Sequence, residues 1–247
     1  FQEIETSVLS TTDTSVSTIF NTWEQFPRAI DLGNYSMYNA NWALSGNVIK
    51  TTSDVNCTGF WDPNRVNEMD YTMEFDVYSG DSRWSDPYQF MFRMNRNATN
   101  NYSFYAVTFT GGGTVGETPQ IALVKINSWI PARSDSDHMG PVSGAGGVVV
   151  GSGTYATGKI LKCINNPGMS ILNSWVHCKI EANGNNIKVY VNDKLLIDYT
   201  DNDNPFLSGS YGPSTTSNPS VQFKNISIYI KSYKSYIEIV IRGITKT

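Results

Sequence analysis

The sequence predicts an all-β fold, a two-sheet antiparallel β-sandwich of jelly-roll type. Three observations predict it. Apolar and polar residues alternate over short runs along most of the chain, and no convincing run carries the 3.6-residue period of a helix. Charged residues make up only 16% of the chain while Asn, Ser, Thr and Gly are abundant, a composition that favours turns and strands over helix. The stretch Trp175 to Asp203 reads as three strands joined by tight turns. Val176, Cys178 and Ile180 face one way and His177, Lys179 and Glu181 the other. Asn183-Gly184 suits a turn that needs positive φ. Alternation resumes with Ile187, Val189 and Val191 against Lys188, Tyr190 and Asn192, and a turn at Asn192-Asp193-Lys194 leads to Leu195, Leu196, Ile197 and Tyr199. This is an antiparallel meander with one buried and one wet face.

The remaining elements follow in order. Residues 1–30, rich in Ser and Thr at the start, are expected to be a linker or an edge strand, with weak alternation from Glu3 to Leu9; residues 31–247 are expected to form one domain. Asn41 to Thr52 reads as two short strands about a Ser45-Gly46-Asn47 turn, and Cys57 to Trp61 as a brief apolar strand. Tyr71 to Tyr78 sets Tyr71, Met73, Phe75 and Val77 against Thr72, Glu74, Asp76 and Tyr78. Tyr88 to Asn95 sets Tyr88, Phe90, Phe92 and Met94 against Gln89, Met91, Arg93 and Asn95. Strands are also predicted at Tyr102–Thr110, Ile121–Trp129, Lys159–Ile164 and Val221–Tyr229. Lys159–Ile164 is expected to pair with the strand that begins at Trp175. Pro131 to Gly158 and the stretch from Asp203 to Pro219 read as loops, and Tyr236 to Ile241 as a last strand or the start of a following module.

Totals exclude several classes. At 247 residues and 40% hydrophobic content the chain can bury a sizeable core. A net charge of −4 argues against nucleic acid as the main partner. No run of 18 apolar residues exists, so no membrane span is expected. Cys57, Cys163 and Cys178 match no zinc spacing. Cys163 and Cys178 lie on adjacent predicted strands, where a disulfide or two buried thiols are both open. Asn-x-Ser/Thr sequons at Asn34, Asn56, Asn97, Asn101 and Asn225 matter only in a secreted eukaryotic protein.

Several segments carry a resemblance. WALSGNVIKT with CTGFW, YTMEFDVYSGD, YQFMFRMN, the Trp175–Asp203 meander and FKNISIY together resemble the concanavalin A-like (laminin G-like) jelly-roll family of lectins and glucanases, over roughly residues 40–230. The resemblance implies the sandwich fold; that fold hosts lectins, carbohydrate-binding modules, adhesion modules and glycosidases alike.

Glu74 and Asp76 lie two apart on one strand, so their carboxyls share a face. Glycosidases of the resembled family that are similar to laminarinases carry Glu-x-Asp-x-x-Glu on such a strand, and here Ser79 replaces the last acid. Retaining hydrolysis needs two carboxylates about 5 Å apart, so this strand reads as a ligand-binding face or a solvated one, with Arg93 expected on the neighbouring strand. Asp198, Asp201 and Asp203 put acidic oxygens in one stretch. They are candidates for a structural calcium ion, the alternative being Asp and Asn capping a turn before Pro205. The loop aromatics Trp84, Trp129 and Tyr155 are candidate sugar platforms, and Trp175 reads as a core or sheet-edge residue. His138 lies in Asp135-Ser136-Asp137-His138. His177, Lys179, Glu181, Lys188 and Tyr190 on the wet face of the meander read as a solvated face and not a site, with recognition expected on the other sheet and its loops.

The expected function is an extracellular, secreted or surface-attached, non-catalytic module within a larger protein. It is expected to bind carbohydrate or a cell-surface glycan through loop aromatics and polar groups on the concave sheet. A glycoside hydrolase of the same fold and a structural or protein-binding adhesin domain are the alternatives.

Overall fold

A computed structural model describes residues 4–8, 24–26, 42–51, 58–61, 69–80, 88–96, 102–110, 119–129, 141–144, 147–150, 156–215 and 220–233. Trp84, Tyr155, His138, Cys57, the sequon asparagines Asn34, Asn56, Asn97 and Asn101, and the Tyr236–Ile241 tail lie outside these residues.

The described strands are β1 (Ile4–Val8), β2 (Glu24–Phe26), β3 (Trp42–Ser45), β4 (Val48–Thr51), β5 (Thr58–Trp61), β6 (Tyr71–Ser79), β7 (Tyr88–Arg96), β8 (Tyr102–Thr110) and β9 (Gln120–Trp129). They continue with β10 (Pro141–Gly144), β11 (Gly147–Val150), β12 (Ala156–Asn165), β13 (Val176–Asn183), β14 (Asn186–Val191), β15 (Lys194–Thr200), β16 (Ser210–Thr215) and β17 (Val221–Tyr233). The first sheet runs β15-β14-β13-β6-β17-β4-β3, with β1 also on β17; the second runs β12-β9-β8-β7-β16-β5-β2; β10 and β11 form a separate hairpin. All pairings among the described residues are antiparallel, and β1 and β2, from the first thirty residues, lie one in each sheet.

Period-2 patterning stacks the two sheets. Along β6, Tyr71, Met73, Phe75, Val77 and Ser79 are buried, and the residues between them are half-buried. Phe75 stacks on Phe90 of the second sheet with ring centroids 4.2 Å apart, and Phe223 of β17 packs against both. Each such ring contributes about 1.5–3 kcal/mol by leaving water, and a stacked pair adds about 0.5–1.5 kcal/mol. The meander β13-β14-β15 forms as the alternation predicts, with Cys178, Ile180, Val189, Val191 and Ile197 in the same core.

The second sheet departs from simple alternation because both its faces are buried. Tyr88, Phe90, Phe92, Tyr105, Val107, Phe109, Ile121 and Leu123 join the core between the sheets. Met91, Met94, Tyr102, Phe104, Ala106, Ala122, Val124 and Ile126 form a second cluster on the far side.

Four expectations are corrected. Lys159–Ile164 lies in β12, which pairs with β9 at the edge of the second sheet and not with β13. Cys163 and Cys178 therefore fall in different sheets, and both are free thiols. Pro131–Gly158 contains the β10–β11 hairpin and the start of β12. The stretch from Asp203 to Pro219 contains β16, a fully buried strand between β7 and β5 that Gly209, Gly212 and Pro213 disguise as a loop. The fourth concerns Arg93. It does not lie on a strand next to Glu74 and Asp76, because β6 and β7 belong to different sheets. A bulge after Phe92 also inverts the expected phase of β7: Arg93 takes φ 50°, and Met94 joins the far-side cluster with Met91.

Candidate functional site

Across β13, β6 and β17 the strand register lays out a grid of side chains on the solvent side of the first sheet. His177 lies opposite Asp76, which lies opposite Lys224; Lys179 lies opposite Glu74, which lies opposite Ser227. One step along, Trp175 precedes β13 and meets Tyr78, with ring centroids 5.6 Å apart, and Tyr78 lies opposite Gln222. The Lys224 ammonium sits 4.0 Å from the Trp175 ring centroid, a cation–π contact of about 0.5–1 kcal/mol at an exposed site. Trp175 stays 38% exposed, unusual for so large an apolar group and a departure from its expected core or edge placement.

Asp76 is the hub of the grid. One carboxylate oxygen meets His177 Nδ1 at 2.9 Å, and the other accepts from Asn225 Nδ2 at 2.7 Å. Asn225 reaches it because β17 bulges between Lys224 and Ser227, with Asn225 at φ 52°. The extra residue restores the phase, so Lys224 and Ser227 both point outward while Phe223, Ile226 and Ile228 stay buried. Beside the hub, Lys179 bonds Glu181 at 3.0 Å and lies 4.1 Å from the Tyr190 ring centroid. Burial works most strongly against the Lys179 charge, but the bond to Glu181 together with the charges of Glu181, Tyr190 and Glu74 outweighs it and holds the ammonium above the ordinary lysine range. Ser79, at the position of the missing third acid, is on the buried face, so no third carboxylate joins Glu74 and Asp76 along this strand.

The second sheet carries its own polar row on the far side. Gln89 donates to Ser214 Oγ at 2.9 Å and accepts from Thr108 Oγ1 at 3.2 Å; Gln120 donates to Asn165 at 2.7 Å. Gln89, Thr108 and Ser214 are at most 1% exposed, so their polar atoms serve one another.

Arg93 is a structural residue. It is fully buried and donates to the Phe206 carbonyl at 2.9 Å and the Met69 carbonyl at 2.8 Å, with its guanidinium near the Tyr71 ring. Trp129 ends β9 opposite Tyr102 and Ala156.

The three aspartates expected to hold calcium are each engaged by lysine. Asp198 accepts from Asn186 at 2.8 Å and lies 3.9 Å from Lys188. Asp203 pairs with Lys159 at 2.6 Å, which lowers its carboxyl and raises the lysine. Asp201 is buried and takes the ammonium of buried Lys125 at 2.7 Å and the hydroxyl of Tyr105 at 2.6 Å. Lys125 also donates to the carbonyls of Asp203 and Asn204. Burial tends to raise the Asp201 carboxyl, and the hydrogen bonds from Lys125, Tyr105 and the Asp203 N–H outweigh it and hold it below the ordinary range. No three His, Cys, Asp or Glu side chains converge as metal ligands among the described residues. The residues present do not fit a calcium ion at this turn, because an ammonium already takes its inward oxygens.

Sequence reasoning missed two groups. His177, Trp175, Lys224 and Asn225 join Glu74 and Asp76 across three strands far apart in sequence, where no local spacing marks them. Lys125 had a readable signal: it falls in phase with the inward residues Ile121 and Leu123 of β9, and a charge in step with the apolar face needs a buried partner.

The family described as 3-keto-alpha-glucoside-1,2-lyase-like domains matches residues 88–229, more than half of the chain. No curated protein matches the sequence. Among solved structures, a Bacillus subtilis protein with a galectin-like fold is similar at TM-score 0.57 and 10% identity, covering 95% of this chain and 100% of that one. The Bacillus licheniformis β-glucanase matches at TM-score 0.53 and 13% identity, covering 93% and 98%. The kappa-carrageenase of Pseudoalteromonas carrageenovora, in complex with an oligotetrasaccharide of kappa-carrageenan, matches at TM-score 0.52 and 11% identity, covering 94% and 96%. The fold is thus the jelly roll of the lectin–glucanase kind.

Proposed function

The chain belongs to the family of 3-keto-alpha-glucoside-1,2-lyase-like domains, and on that premise we propose that it is an extracellular carbohydrate-recognition module whose binding face is the solvent side of β13, β6 and β17. One observation carries the reading. The exposed Trp175 and Asn225 and the half-buried Tyr78, Lys224, Asp76 and His177 meet on the outer face of one sheet, joined by direct contacts. Sugars present hydroxyls that both donate and accept, and C–H faces that pack on aromatic rings. This face offers carboxylate acceptors, ammonium and amide donors, and two aromatic rings. The polar row of the second sheet supports the same choice by contrast, since its Gln89, Thr108 and Ser214 are buried and bonded to one another. Two of the similar structures are a glucanase and a carrageenase, which is in keeping with a glycan ligand.

Calorimetric titration with a panel of glucan and galactan oligosaccharides tests the reading. We expect binding that falls at least about tenfold in Trp175→Ala, a loss of about 1.4 kcal/mol. Binding unchanged in that variant, or no binding by the wild type across the panel, rejects this face.

The Asp76–His177 pair favours a second reading, that the domain is a lyase as its family's description says. A 3-keto group makes the neighbouring C2 proton acidic, so its removal by a base expels the oxygen at C1. An imidazole held through Nδ1 by a carboxylate presents Nε2 as such a base. Turnover of a 3-keto-glucoside that is abolished in His177→Gln would establish this reading; turnover unaffected by that substitution would dismiss it.

A further inference from the structure

We propose that the ammonium of Lys125 is a tethered substitute for a bound metal ion in the turn from Thr200 to Phe206, so that the turn is held without metal. The turn is built the way a cation-binding loop is built. Its carboxylate, from Asp201, and two backbone carbonyls, from Asp203 and Asn204, converge on one point. Carboxylate and carbonyl oxygens are the donors that hard cations such as calcium take. Asn204 is at φ 48°, a conformation that asparagine tolerates better than most residues and that places its carbonyl in the set.

The group at the centre is an ammonium with three N–H donors, and three oxygens receive them. Lys125 comes from β9 of the second sheet and is 2% exposed. Phe206 and Tyr105 flank it, their ring centroids 4.9 and 5.7 Å from Nζ. The Tyr105 hydroxyl donates to Asp201 and accepts from the Phe206 N–H. A free metal ion would face the same oxygens; the lysine brings its positive charge on a side chain anchored in the opposite sheet. The turn that leaves the first sheet after β15 and leads to β16 of the second is thereby fastened to β9.

Thermal unfolding of the purified protein in chelator and in millimolar calcium chloride tests this, with Lys125→Ser and Lys125→Met beside the wild type. We expect the wild-type melting temperature to be the same in both buffers. Both variants should melt several degrees lower in chelator. Calcium should restore Lys125→Ser, whose short side chain leaves the oxygens open, and should not restore Lys125→Met, whose side chain fills the space without charge. A wild type that is stabilised by calcium overturns the proposal, as does a Lys125→Ser protein indifferent to calcium. If neither variant folds in chelator, Lys125→Ser refolded in calcium supplies the same decision: recovery of the β-sheet circular dichroism supports the proposal and its absence overturns it.

Discussion

Asp201 and Lys125 are both nearly excluded from water, and neither charge could be kept there alone. Removing one partner of such a buried pair costs about 3–5 kcal/mol, because the other charge is left uncompensated. Lys125→Met should therefore lower the wild-type stability measured by urea unfolding by about that amount. The same pair sets an acid limit. The Asp201 carboxyl titrates below its ordinary value in the folded protein and near about 3.9 when unfolded. The unfolded chain thus binds the extra proton, so the contribution of Asp201 is complete above about pH 4 and is lost as pH falls through the folded value. Melting temperature followed against pH should show this acid limb, and Asp201→Asn should remove most of it. Tyr105 bounds the other side. Burial first, and then its hydrogen bond to Asp201, push the phenol up, so unfolding is favoured once unfolded tyrosine ionises above about pH 10.

At the level of elements, two bulges decide what the strands present. The bulge after Phe92 turns Arg93 inward to cap the carbonyls of Met69 and Phe206, and it accommodates Gly209 against its backbone. Gly209 is at φ 143°, and a Cβ there would lie 2.5 Å from the Arg93 carbonyl carbon and 2.6 Å from the Met94 oxygen. Backbone cannot yield as a flexible side chain can, so Gly209→Ala should destabilise by more than the roughly 1–3 kcal/mol of a strained backbone alone, read as a drop in the urea midpoint. Strands with one apolar face, β6 and β13 to β15, were legible in the sequence because burial enforces period 2. Strand β16 was not, since its Gly and Pro are turn signals locally and only the neighbours β7 and β5 make the segment a strand. The inward turn of Arg93 is hidden from the sequence for a related reason: alternation counts residues, and a bulge adds one without any mark in composition.

For the whole molecule, the two-sheet sandwich could be argued from alternation and turns, while the candidate site could be read only in part. Glu74 and Asp76 were visible as a pair on one strand. Their partners at positions 175, 177, 224 and 225 come from strands that meet only in the folded sheet, and Asn225 reaches Asp76 across 149 positions of sequence. The acidic turn was visible too, but the cation it holds was not, because Lys125 is 76 residues away from Asp201. Recognition of carbohydrate by the outer face of β13, β6 and β17 stands or falls on oligosaccharide titration of the wild type, Trp175→Ala and Leu195→Ser, the last a substitution of an exposed residue on the edge strand β15. Binding is expected in the wild type and in Leu195→Ser, with its loss in Trp175→Ala at an unchanged melting temperature; equal binding by all three proteins would contradict carbohydrate recognition at this face.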